Sequence, residues 1–438
     1  MFGLTALLLA LPAAARTRPR YGDTLRVEVS GDPWERPGGL ARRLVFDGLT
    51  QMAPDGELEP ALAISWASEN NDHRWQFRLR PGVHFHDGSS VTTTAVVASL
   101  MASCTANCPW DSVRALATSI VFTSDEAMPQ LPQLLAGSEF LIAKGAGADP
   151  DGGTGAFEVS GFANGTLTLA ANDSSWAGRP FVDAIEIRVN RAVNDQWIDL
   201  AAGRTDVAEV PAESIRGAQQ QHLNLALAPQ AEVLALQLSD RGALANANLR
   251  AAIGYAIDRN AIANVIFQKQ GKISAALLPQ SVSGYAFLFS AERDLNKAHE
   301  LRGGMTPAPL VLTAGADAAL QLTAQRIILN LREAGFNVQL AGPAVRAADM
   351  RLRTFAMQGA DAAGDLVSVA LASGLAVPAM GAGPSSTYNA ERELLEHRTL
   401  IPLVHLPRAW AVSGRVRDLQ LRYDGSPVLE GVSLEAAK

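Results

Sequence analysis

The stretch RWQFRLRPGVHFHDGSSVT, residues 74–92, decides how this chain is read. Trp75, Phe77 and Leu79 alternate with Arg74, Gln76, Arg78 and Arg80, the period-two pattern of a half-buried strand. Pro81-Gly82 ends it, and Asp87-Gly88 is a tight-turn signal. His84 and His86 then fall on one face with Asp87 beside them. Two histidines at that spacing can share a metal if a third ligand joins, and His73, a strand length away, is the nearest. The alternative is a corner in which His86 and Asp87 bond backbone groups, and no metal is needed.

Outward from that stretch, the totals set bounds. A chain of 438 residues can bury more than one core. Hydrophobic residues at 48% against 18% charged describe a globular chain, not a disordered one. The net charge of -7, with no Lys/Arg run, leaves nucleic acid without an electrostatic footprint. The opening MFGLTALLLALPAAA, residues 1–15, has an apolar run at 4–11 and small residues at Ala13 and Ala15. It reads as an export signal cleaved before Arg16, although no Lys or Arg precedes the run. The run is too short to span a bilayer. In an exported chain Cys104 and Cys108, in SCTANCPW, are expected to form a small-loop disulfide.

Helical and strand patterns alternate further along. GGLARRLVFDGLTQ places Leu40, Leu44, Val45 and Leu49 at helical spacing. LRAAIGYAI puts Leu249, Ala252, Ile253, Ala256 and Ile257 on one face, and Asp258 is placed to cap the next short helix. PLVLTAG, then AALQLTAQRIILNLREA at 318–334 stopped by Gly335, then FNVQL, reads as strand, helix, strand with parallel strands. The second half is therefore α/β and the first half richer in antiparallel strands.

Catalytic signatures are sparse. There is no G-x-S-x-G, and Gly271-Lys272 lacks the flanking residues of a phosphate loop. Asp149 and Asp151 suit a calcium loop, but Thr154 stands at its turn glycine and Ser160 at its closing glutamate. No cofactor is expected, and no enzyme.

Several stretches resemble, in family order, the extracellular solute-binding proteins of ABC importers, family 5, the class that handles peptides and nickel. They are GELEPALAISW (56–66), the opening stretch, GTGAFEV (153–159), NDSSWAGRPFVDAIEIRV (172–189), LRAAIGYAIDRNAI (249–262) and LIPLVHLPRAWAVSGRVRDLQL (400–421). In that family the opening stretch is scaffold. Departures are Ala95 where the family carries an acid, GTGAF for GTGPY, and a missing Asp-Pro after the late loop.

The resemblance implies an α/β, two-lobed periplasmic-binding-protein fold with mixed sheets, a hinge of two crossings and a reduced accessory subdomain. Residues 21–232 with 400–438 would form lobe one, with the accessory part around 45–150, and 233–399 lobe two. The crossings would lie near Val233–Leu236 and Leu400–Pro402. It implies capture of a peptide-like or other small solute between the lobes and delivery to membrane permease subunits. The chain would be a periplasmic or extracellular monomer. A solute sensor of the same fold is the alternative, and a secreted hydrolase a remote one. By position in the family, Asp361 would pair with a solute amine, with Asp365 as fallback. Gln237 and Trp410 are the other candidate ligand contacts, while Asn172 and Trp176 read as structural.

Overall fold

A computed structural model describes residues 19–34, 39–104, 108–145, 152–345, 347–359, 362–378, 380 and 383–435. The expected signal at 1–15 and Asp361 lie outside them.

Two long strands, Leu225–Leu238 and Leu400–Val412, run antiparallel through the middle of an 11-stranded mixed sheet. Their register shifts twice, between Ala228 and Glu232 and between Leu234 and Ala235. To one side follow Val207–Val210, Thr24–Glu28 and Ala184–Arg188, where Thr24–Glu28 is parallel to both neighbours. The antiparallel strands Thr166–Ala171 and Phe157–Ala163 complete that half. To the other side lie Met350–Ala356, Leu310–Thr313 and Val338–Ala341. The anticipated parallel unit is here: Leu310 pairs with Val338, and helix Ala318–Glu333 crosses between the strands with Ala324, Ile327, Ile328 and Leu331 buried. Asp317 caps that helix through the amide of Leu320, and Gly335, at φ 82°, follows its end.

Each half has its own apolar core. Leu25, Val27, Ile185 and Ile187 centre one, and Leu249, Ile253, Leu312, Ile327 and Leu403 the other. A smaller antiparallel sheet, Ala63–Glu69, Arg74–Leu79, Ser119–Thr123 and Ser112–Ala115, stands apart over a third. The opening stretch supplies its central strand. Phe77 is fully buried edge-on to Phe122, with centroids 5.4 Å apart, and Trp75 donates to the carbonyl of Met128. Each such ring contributes roughly 1.5–3 kcal/mol by leaving water. The turn after it clamps a distant loop. The His86 amide donates to Gly153 O, its Nε2 lies 3.1 Å from Gly155 O, and Asp87 accepts from the Ser89 amide and pairs with Lys144.

That clamp explains GTG at 153–155. A β-carbon on Gly153 would stand 2.0 Å from Val45 O, and one on Gly155 would stand 2.4 Å from Leu44 O. The helix expected from Leu40 to Leu49 stops at Val45 for the same reason. Phe46 turns extended, Val45 O accepts the Gly155 amide, and the Asp47 carboxylate accepts from Thr154 Oγ1 and Trp176 Nε1. Asn172 donates to Gly155 O, so it and Trp176 hold this joint. The Cys104 and Cys108 sulfurs are bonded to each other. No helix of the described residues is long and apolar enough to cross a membrane.

Candidate functional site

The two halves face each other across a cleft where the long strands lose register. Two abutting cavities lie there, of about 210 Å³ and 250 Å³. Ser30, Glu209, Glu232, Arg408 and Trp410 line both. The first is closed by Glu213 from one half and by Phe267, Asp317 and Leu320 from the other. The second runs to Asp32, Leu40 and Pro427.

Strand pairing places these side chains. Glu209 is opposite Trp410, and Arg408 opposite Ala228, so Arg408 and Trp410, two residues apart, share a face of the return strand. Glu209 accepts from the Ser30 amide at 3.0 Å and its hydroxyl at 2.5 Å, which ties two strand ends together. Arg408 Nε stands 3.6 Å from Glu232 Oε1. Trp410 is buried, and its indole donates to Gly425 O at 2.9 Å.

The cleft is acidic. Asp32, Glu209, Glu213, Glu232 and Asp317 give five carboxylates, and Arg408 is the sole Arg or Lys among the described lining residues. Burial pushes the Glu232 carboxyl above its ordinary range against the pull of Arg408. Burial also raises Glu213, and the nearby charges of Asp317 and Glu209 add to it. Burial works against the Arg408 charge, but Glu232, Asp424 and Glu209 keep its pKa above the usual value. A site of this kind favours a solute that brings positive charge.

The other sequence candidates fall elsewhere. Asp365 is buried, and its carboxylate accepts the amides of Gln358 at 2.7 Å and Gly359 at 3.1 Å. The space beside it is only about 10 Å³. Gln237 lies at the far end of its strand, donating to Ser373 O and accepting from Arg353, beside a separate groove of about 560 Å³. Of the described candidates only Trp410 borders the cleft. Sequence reasoning missed Glu209, Glu213, Glu232, Asp317 and Arg408. Only Arg408 carried a signal, its position two residues before Trp410 on an apolar strand.

A family model, "Bacterial extracellular solute-binding proteins, family 5 Middle", matches residues 57–368. The chain belongs to the bacterial extracellular solute-binding proteins, family 5. Among curated relatives, "Protein XP55" of Streptomyces lividans is 24% identical over 350 residues, 72% of this chain and 64% of its own length. The "Probable D,D-dipeptide-binding periplasmic protein DdpA" of Escherichia coli K12 is 24% identical over 299 residues, 61% of this chain and 58% of its own. The chain therefore spans less than two thirds of either relative. The periplasmic binding protein AgaA of A. tumefaciens R10, solved with agropinic acid, superposes with a TM-score of 0.80 at 20% identity, covering 95% of this chain and 99% of that one. That likeness shows the two-lobed fold of periplasmic binding proteins.

Proposed function

We propose that this chain is the solute-capturing component of an ABC import system, exported to the periplasm or cell exterior, and that its solute is a small molecule bearing a cationic group. Residues 21–232 with 400–438 form lobe one and 233–399 lobe two, hinged near Val233–Leu236 and Leu400–Pro402. A solute that touches both lobes stabilises the closed form by its differential affinity, and a permease reads that form. The observation that carries the reading is the cleft with carboxylates from both lobes: Glu209 and Glu213 on one side, Asp317 on the other. Arg408, the one arginine among the described lining residues, is already beside Glu232. The two cavities together fall within the roughly 300–1,000 Å³ of small-molecule sites. The D,D-dipeptide for which the relative DdpA is named carries a free amine.

Mass spectrometry of solute released from purified, denatured protein identifies the ligand, and calorimetric titration then measures it. Glu209→Gln is expected to weaken binding by at least about tenfold, the loss of one charge-assisted contact worth ~1.4 kcal/mol or more. A released solute without positive charge, or a Glu209→Gln affinity equal to wild type, would sink the reading.

A further inference from the structure

After the return strand the chain forms a small hairpin, Gln420–Leu421 against Pro427–Val428. Its turn does not stay on its own lobe. The Tyr423 ring lies flat over Gly359 of the other lobe: a β-carbon there would stand 1.9 Å from the ring's Cγ and within 2.3 Å of both Cδ atoms. The ring packs against the cluster of Met357 and Leu366, and its hydroxyl is 3.3 Å from Ser281 Oγ.

Both sides of this contact are built rigid. Asp365 fixes Gly359 by accepting its amide and that of Gln358. The turn is fixed by Asp424, which accepts from the Ser426 amide and hydroxyl, and by the Gly425 amide donating to Arg422 O. Burial disfavours the Asp424 charge, but Arg43, Ser426 and Arg408 hold its pKa below the usual range.

The same turn holds the cleft. Gly425 O accepts the Trp410 indole, and Asp424 O accepts from Arg408 at 3.4 Å. A β-carbon on Gly425 would lie 2.4 Å from Arg408 Cβ, so only glycine lets the turn close onto that strand. Ser426 and Pro427 are themselves cavity wall.

We propose that Tyr423 is a positioning residue for the cleft: seated on Gly359, it locks the turn that orients Arg408 and Trp410, so the docking of one lobe on the other is felt at the cleft wall. Tyr423 does not border the two cavities, so it acts through the turn. The inference uses the cleft as the solute site, but its test needs no solute.

The test is the Trp410 indole N–H resonance of the full chain, assigned by its loss in Trp410→Phe, with amide exchange at Gln358 and Gly359. Tyr423→Ala is expected to shift that resonance and to speed exchange at both amides at least about tenfold, as the contact opens locally. Tyr423→Phe, which keeps the ring, is expected to retain both wild-type signals. Gly359→Ala attacks the contact from the other side, with backbone strain of its own at φ 79°, and is expected to shift the indole resonance as Tyr423→Ala does. Folded Tyr423→Ala and Gly359→Ala proteins with unchanged indole and amide signals would overturn the proposal. Global unfolding of both would overturn it too, since each lobe keeps its own core. A Tyr423→Phe as damaged as Tyr423→Ala would shift the effect to the hydroxyl and reject ring seating. Solute binding lost in Asp317→Asn with the indole unmoved would keep the two readings apart.

Discussion

Arg408 Nε stands 3.6 Å from Glu232 Oε1 at the point where the two longest strands lose register. Arg408 is two residues beyond Leu406, the cross-strand partner of Glu232, so the two long side chains are diagonal neighbours on one face. Arg408→Met keeps the stem and removes the charge, leaving Glu232 to face Glu209 and Asp424. A fully buried pair loses about 3–5 kcal/mol when one partner goes. Both side chains here keep about a quarter of their exposure, at 26% and 25%, so a loss of roughly 1–3 kcal/mol is expected. Urea denaturation measures it, and Glu232→Gln added to Arg408→Met is expected to recover part of the loss.

Gly155→Ala is expected to destabilise the protein by about 1–3 kcal/mol, the usual cost of overpacking. The added carbon meets Leu44 O and Val45 O, backbone atoms that cannot swing aside. Thermal unfolding with Gly165→Ala as a contrast checks it. Gly165 has open space around it but φ 73°, so its cost is backbone strain without a clash. A Gly155→Ala protein as stable as wild type would mean that this joint yields.

These glycines show what the sequence makes legible. Strand 74–79, the helix at 318–333 between parallel strands, and the GTG joint each depend on neighbours close in sequence or on a residue type that only one geometry tolerates. The cleft is different. Glu209, Glu232, Asp317 and Arg408 come from four separate strands or helix ends, and each carboxylate alone looks like surface. Their convergence is set by long-range strand pairing and by where the crossing helix begins, which no local pattern encodes. Asp365 is legible as an acid of the late loop and the fallback partner of a solute amine, but in the structure it stands in the helix Ala362–Ser373 and its carboxylate accepts the amides of Gln358 and Gly359.

Opening the Cys104–Cys108 bond is expected to cost little. The bridged residues are four apart, and the chain-entropy model gives about 2 kcal/mol for so short a loop. Cys104→Ser with Cys108→Ser is expected to lose no more than that in guanidinium denaturation and to keep the solute affinity, because the bond flanks the smaller sheet and not the cleft. A larger loss would show that the bond does more than close a short loop.

The cleft carboxylates set a pH dependence with a definite sign. Glu213 and Glu232 are held above 4.5 in the folded protein, mainly by burial. Between 4.5 and those raised values the folded state binds more protons than the unfolded one, so stability falls as pH rises through that window. Asp424 acts oppositely: its depressed pKa adds stability above 3.8 that is lost as pH falls through the folded value. The two glutamates therefore contribute less stability to the solute-free protein as pH rises through their window, while His405, pushed down to about 4 by burial, contributes the opposite slope up to 6.5. A cationic solute needs the ionised glutamates, so its affinity is expected to rise as pH rises through the same window, with protons released on binding. Melting temperature against pH, and titration calorimetry in buffers of different ionisation enthalpy, measure the two halves of this linkage. Glu213→Gln is expected to flatten both curves. A solute whose affinity falls as pH rises through the window, or a Glu213→Gln protein with unchanged curves, would show that these carboxylates do not meet the ligand.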